Sequence, residues 1–221
     1  MMTNLFSSFD PMSPSFSFQT NWMSMMIFFI VVFPSYWIFK SKSTILLSEI
    51  SSQIRKEFLP LFKSNKNMLF FITLFTFILI NNIFGLMPYT FTATSHLAVS
   101  LSLALSLWIS FMIYGWINNT THMFAHLVPL GTPVALMPFM VMIETVSNII
   151  RPITLSVRLA ANLTAGHLLL ILISEGMVGQ TITTVLPMTL AQLTLMVLEG
   201  AVAIIQAYVF ATLVVLYASE V

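Results

Sequence analysis

The stretch VALMPFMVMIETVSNIIRPITLSVRLAANLTAGHLLLILI, residues 134–173, decides the fold. As helix, its forty residues run about 60 Å at 1.5 Å each, twice the roughly 30 Å of hydrocarbon in a bilayer. Glu144, Arg151 and Arg158 are its only formally charged side chains. They are spaced seven apart and fall on one helical stripe, with Asn162 one turn beyond Arg158. A second apolar run, 184–218, is about 52 Å long as helix and places Gln192, Glu199 and Gln206 seven apart. Neither fits upright in a bilayer, so each is steeply tilted or broken into pieces, and the reading preferred is a hairpin of two long, steeply tilted helices. The turn falls at 174–187, where Gly176, Gly179 and a run of Thr lie.

The rest of the chain agrees with a membrane setting. Of 221 residues, 8 are Lys or Arg and 7 Asp or Glu, and 58% are hydrophobic. The mean hydropathy is +0.96. Soluble domains average about 25% charged residues, and this chain has too few charges to dress a water-facing surface. Residues 67–143 contain no charge at all. The class is an all-α integral membrane protein, which excludes a nucleic-acid binder, a disulfide scaffold and a soluble α/β enzyme. With no cysteine, Fe–S and Cys-zinc sites are excluded too. Residues 1–20 lack Lys and Arg, so the N-terminal stretch is read as part of the mature chain rather than a targeting segment.

Upright spans are predicted at 22–39, with Pro34, Tyr36 and Trp37 toward its end, at 68–87 before Pro88, and at 96–116. Six of the eight basic residues, Lys40, Lys42, Arg55, Lys56, Lys63 and Lys66, fall between the first two spans. The positive-inside rule puts that connection on the cytoplasmic or matrix side and the N-terminus opposite. Within it, Leu47, Ile50, Ile54, Phe58 and Leu61 recur at helical spacing, with Glu49, Lys56 and Lys63 on the other side. This predicts an amphipathic helix at 43–64, lying on the membrane surface and strained or ended near Pro60. The stretch 118–133 reads as a loop, with Asn-Asn, Pro-Leu-Gly and Thr-Pro breakers. The whole chain is one membrane domain with no internal repeat.

Ionisable groups deep in a membrane are costly and mark function by default. The ordinary alternative is helix glue, which suits a lone Gln206 better than Arg158. An antiparallel pairing of His167 with Glu199 and of Arg158 with Gln206 centres the hairpin near residues 182 and 183, so the two pairings are compatible. His167 lies nine residues from Arg158, about half a turn away, and does not share its face. His122 and His126 sit in a Pro/Gly loop without a third ligand, so no metal is expected there. His96 reads as interfacial. Four histidines at 96, 122, 126 and 167 do not pair across helices as a haem carrier needs.

Arg158-Leu-Ala-Ala-Asn162, followed by Ala165-Gly166-His167, resembles the signature of ATP synthase subunit a, the membrane stator subunit of the F-type enzyme. His126-Leu-Val-Pro-Leu-Gly131-Thr-Pro133, Ile143-Glu144-Thr145 and Ile205-Gln206-Ala-Tyr208-Val-Phe210 agree with it. The resemblance implies that Arg158 is the fixed cation facing a rotating ring of small hairpin subunits, the c-ring. It implies that His167 and Glu199 form the inlet half-channel, that Glu144 belongs to the outlet half-channel, and that Asn162 and Gln206 are polar neighbours of the arginine. His at 167 with Glu at 199 resembles the mitochondrial order. The implied setting is the mitochondrial inner membrane, with the N-terminus in the intermembrane space and the C-terminus in the matrix. Implied partners are the c-ring, the peripheral stalk, other membrane-sector subunits and the lipid bilayer. No cofactor and no catalytic site of its own are implied. Read without the resemblance, an autonomous ion transporter and a passive scaffold subunit remain the alternatives.

Overall fold

The structure, a computed structural model, describes residues 5–12, 19–32, 42–61, 68–87, 90–128, 133 and 136–220. Every regular element among these residues is a helix. The seven α-helices are α1 (Ile27–Val31), α2 (Lys42–Phe58), α3 (Met68–Gly85), α4 (Leu97–Asn118), α5 (Thr120–His126), α6 (Met137–Gly176) and α7 (Ile182–Glu220). Short 3-10 helices cover Leu5–Phe9, Thr20–Met26, Leu59–Leu61 and Ala93–Ser95. Four helices, α3, α4, α6 and α7, are long and apolar enough to cross a membrane.

The first predicted span begins as 3-10 helix and becomes α-helical only at Ile27–Val31; its residues 33–39 lie outside those described. The stretch 118–133 differs from the expected loop. Thr120–His126 forms two turns of helix, because the Gly and Pro breakers come only after it. Asn119, at φ −134 and ψ 60, is outside the helical region and separates it from α4.

The serines of α4 show how polar residues live in an apolar span. Ser100, Ser102, Ser106 and Ser110 each donate a hydroxyl to the carbonyl three residues earlier, at 2.7–3.2 Å. Their polarity is satisfied inside the helix, as an apolar surround requires. Pro152 interrupts the ladder of α6, since it has no N–H for the Asn148 carbonyl, yet the helix continues through it.

The core lies where α3 meets α7. Phe71, Leu74, Phe75 and Ile78 pack against Ala207, Phe210, Ala211, Val214 and Val215, with Leu155 and Leu159 of α6 closing one side. Ala203, Ala207 and Ala211 recur every four residues on α7 and are essentially inaccessible. Small side chains at that spacing let two backbones approach closely, which is how helices associate where lipid removes the hydrophobic drive. Ala207→Leu would force bulk into this seam. The expected cost is about 1–3 kcal/mol, read as a lower melting temperature of the detergent-solubilised assembly; an unchanged Tm would show a loose seam.

The helix expected at 43–64 appears as α2 and the following 3-10 turn, with 62–64 outside the described residues. Of the stripe's described side chains, Ile54 and Phe58 enter the core, while Ile50 stays exposed. The stripe therefore divides between the protein core and the exposed surface. At the hairpin, Gly179 adopts φ +84, a left-handed conformation that a side chain disfavours. It lets α6 turn back into α7 within five residues.

Candidate functional site

Arg158 stands on the outward face of α6. Leu155, Leu159 and Ala160 beside it turn inward and are buried, so the arginine points away from the bundle. Near it on the exposed surface are Ile150 and Val157 before it and Leu169 and Leu172 after, with Thr154 one turn before. Asn162, one turn on, is exposed on the same face. The only ion pair among the described residues involves Arg151 and Glu144, so no described carboxylate neutralises Arg158. Gln206 is half-buried on α7 and makes no hydrogen bond to Arg158.

His167 lies on a different side of α6, turned into the bundle. Its Nε2 is 2.8 Å from the Gly85 carbonyl at the end of α3. A carbonyl only accepts, so Nε2 carries the hydrogen and donates, which leaves Nδ1 of the neutral ring as the proton-accepting atom. Phe9 meets the ring edge-on, with centroids 6.3 Å apart.

Glu199 comes from α7 and lies over Gly166, the residue before His167. A Cβ on Gly166 would stand 2.6 Å from the Glu199 carboxyl carbon and overlap its Oε1. Glycine is thus what lets the carboxylate lie across α6 at this level. Glu199 Oε2 is buried and has no hydrogen-bond partner among the described residues. The register expected for His167 and Glu199 is met to within one residue, although the two side chains share no hydrogen bond.

Glu144 sits fourteen residues before Arg158, roughly 21 Å along the helix axis. Arg151 Nη2 reaches its Oε1 at 3.5 Å, and the guanidinium carbon lies 5.7 Å from the Tyr217 ring centroid. Both charged groups open into a cavity of ≈ 310 Å³ lined by Trp108, Trp116, Asn148 and Tyr217 among others. Two polar regions therefore flank the arginine on opposite sides along α6, and neither touches it.

Two contributors were not singled out from sequence. Asn82 is fully buried on α3 and donates to the Ala203 carbonyl at 3.5 Å, joining α3 to α7 one turn from Glu199. An Asn pair within an otherwise apolar span was its visible signal. The Gly85 carbonyl had none, since backbone atoms carry no residue-type mark. Among the described residues no group of three His, Asp or Glu is placed to hold a metal.

The family described as ATP synthase A chain matches residues 18–219. The chain is similar to ATP synthase subunit a of Drosophila melanogaster, at 54% identity over an alignment of 224 positions covering all of both chains. It is 52% identical to the Anopheles gambiae protein of that name and 50% identical to that of Locusta migratoria, again over the full length of each.

Proposed function

Because the chain belongs to the ATP synthase A chain family, a non-catalytic, multi-pass membrane subunit of the proton-translocating ATP synthase, we propose that α6 and α7 form the stator face against which the c-ring turns. Arg158 is the fixed cation of that face. The observation that carries this reading is an outward-pointing arginine with no carboxylate partner among the described residues, with polar clusters displaced to either side of it along α6.

A ring carboxyl facing lipid must be protonated, because a bare anion there is too costly. Opposite Arg158 the same carboxyl is stabilised as the anion and releases its proton. Guanidinium serves because it does not deprotonate in proteins. Protons reach the ring through His167 and Glu199 and leave by Glu144. His167 accepts on Nδ1 while its Nε2–H stays anchored to Gly85. Asn162 and Gln206 flank the arginine, one on each helix, and complete the polar edge of the contact. Arg158 itself separates the two half-channels, so a proton crosses only by riding the ring. Each proton driven through 100 mV delivers about 2.3 kcal/mol.

The setting that fits this reading is the mitochondrial inner membrane, with the N-terminus in the intermembrane space and the C-terminus in the matrix. The peripheral stalk and other membrane-sector subunits hold the chain against the ring. His167→Ala, in the assembled complex, is expected to lower gradient-driven proton flux roughly 10²-fold, the low side of what a positioned proton-transfer group contributes. Flux at the wild-type rate would remove His167 from the inlet.

A further inference from the structure

The cavity shared by Glu144 and Arg151 measures ≈ 310 Å³, whereas the clefts at Asn81 and at Ala104 measure ≈ 10 Å³ each. A single water needs about 10–15 Å³, and pockets for small organic ligands begin near roughly 300 Å³. The larger cavity therefore has room for a small organic group. Its walls are the later turns of α4, the short α5, the early turns of α6 and the end of α7. Ends of membrane-crossing helices stand at headgroup level, where Trp and Tyr are favoured, and Trp116 and Tyr217 line the cavity there.

The chemistry of the walls is selective. Apolar and aromatic side chains predominate, with one guanidinium and one carboxylate 3.5 Å apart. These two side chains are 35% and 33% exposed, so both keep open surface toward the cavity they line. A guanidinium has five N–H donors and a carboxylate about four acceptor sites, more than one bridge uses. A simple anion entering here would meet Glu144, and a simple cation would meet Arg151. Only a ligand that carries both charges side by side satisfies the pair. Trp108, Phe111 and Trp116 add aromatic surface, which favours a methylated ammonium. Ile113 and Val146, each next in sequence to a wall residue, and Ile149 of the wall itself are more than half exposed. Apolar surface thus continues outward from the charged pair.

We propose that this cavity seats the headgroup of a zwitterionic phospholipid. Its phosphate lies on Arg151, its quaternary ammonium on Glu144 and the tryptophan faces, and its acyl chains run along Ile113, Val146 and Ile149. The order of charges agrees with this occupant: phosphate and ammonium are neighbours in the headgroup, as guanidinium and carboxylate are in the wall. The site goes beyond the stator reading and does not depend on it, since a lipid can be held here whether or not Glu144 passes protons.

The probe is a trace of phosphatidylcholine with a diazirine beside its ammonium, in vesicles made mostly of phosphatidylglycerol and carrying the intact complex. Phosphatidylglycerol has the phosphate without the ammonium. After illumination, labelled residues are located by peptide mass spectrometry. Label is expected at Met112, Met123 and Glu144 in the cavity, besides exposed side chains such as Ile117 that any surrounding lipid reaches. When the vesicles are made of phosphatidylcholine instead, unlabelled headgroups compete, and the cavity label is expected to fall at least roughly tenfold while Ile117 keeps its label. In phosphatidylglycerol vesicles, Glu144→Gln is expected to lower the cavity label at least roughly tenfold, the weight of one hydrogen-bonded charge. Should Glu144→Gln fail to assemble, the change of vesicle lipid decides on the wild-type complex alone. Cavity label that is the same in both vesicles marks unselected surrounding lipid and overturns the site. Label at Ile117 with none in the cavity also overturns it, and leaves a neighbouring protein subunit as the occupant. Cavity label indifferent to Glu144→Gln overturns the zwitterionic match.

Discussion

Arg158→Lys is expected to abolish ATP-driven acidification in a complex that still assembles, a fall of roughly 10²-fold or more. The two side chains carry the same charge, so the loss isolates what charge alone does not supply. Guanidinium is planar, presents a rigid fork of donors and is weakly hydrated, which suits a carboxylate arriving from an apolar phase. Ammonium is compact, strongly hydrated and able to deprotonate when desolvated. A lysine neutral for part of the time would neither draw the proton off a passing carboxyl nor bar the direct route between half-channels. Removing one preorganised electrostatic partner from a buried site costs about 10²–10³ in rate elsewhere. Assembly should survive, because Arg158 lies outside the α3–α7 core and has no ion-pair partner among the described residues. Near-normal pumping by the lysine form would reduce Arg158 to a packing residue and reopen the scaffold and transporter readings.

Gly166→Ala is the second expected large effect, and it is steric in origin. The new methyl would occupy the place of Glu199 Oε1. A carboxylate is the far end of a flexible side chain, so the helices need not separate; Glu199 turns aside instead. The expected result is normal assembly with proton flux lowered about tenfold or more, since a misplacement near 1 Å at a positioned group costs up to roughly 10²-fold. A shorter acid should relieve the clash. Gly166→Ala combined with Glu199→Asp is therefore expected to recover part of the flux, whereas Glu199→Asp alone loses some. If the double variant is no better than Gly166→Ala, the methyl acts on helix packing and not on the aim of the carboxylate.

What the sequence revealed follows from which properties are written in side chains. The long hairpin was legible because residues 134–173 and 184–218 are too long to stand upright and carry their charges at intervals of seven. The register between α6 and α7 was legible to one residue, because length alone fixes which positions of an antiparallel pair meet. Other features were not. Nothing in Gly85 announces that its carbonyl will hold an imidazole 82 positions away. Arg158 and Gln206 matched by arithmetic but do not bond, since position along a helix says nothing about the direction in which each side chain leaves it. In α2, periodicity marked one stripe; burial split it after Ile50, because the helix meets the bundle only near its C-terminal end. Thr120–His126 was read as loop through its neighbours' breakers, although the segment itself contains none.

The apolar band around Arg158 carries a mechanical consequence. Ile150, Val157, Leu169 and Leu172 offer a ring turning as proposed only dispersion contacts, each worth about 0.1–0.2 kcal/mol per atom pair and none tied to a direction. Hydrogen-bonding side chains in those places would form latches, each to be broken at every step. On the proposed stator face, a largely greasy surface with a short polar line through Thr154, Arg158 and Asn162 would act as a journal bearing with a single detent: low friction through most of the turn, and one point where motion registers.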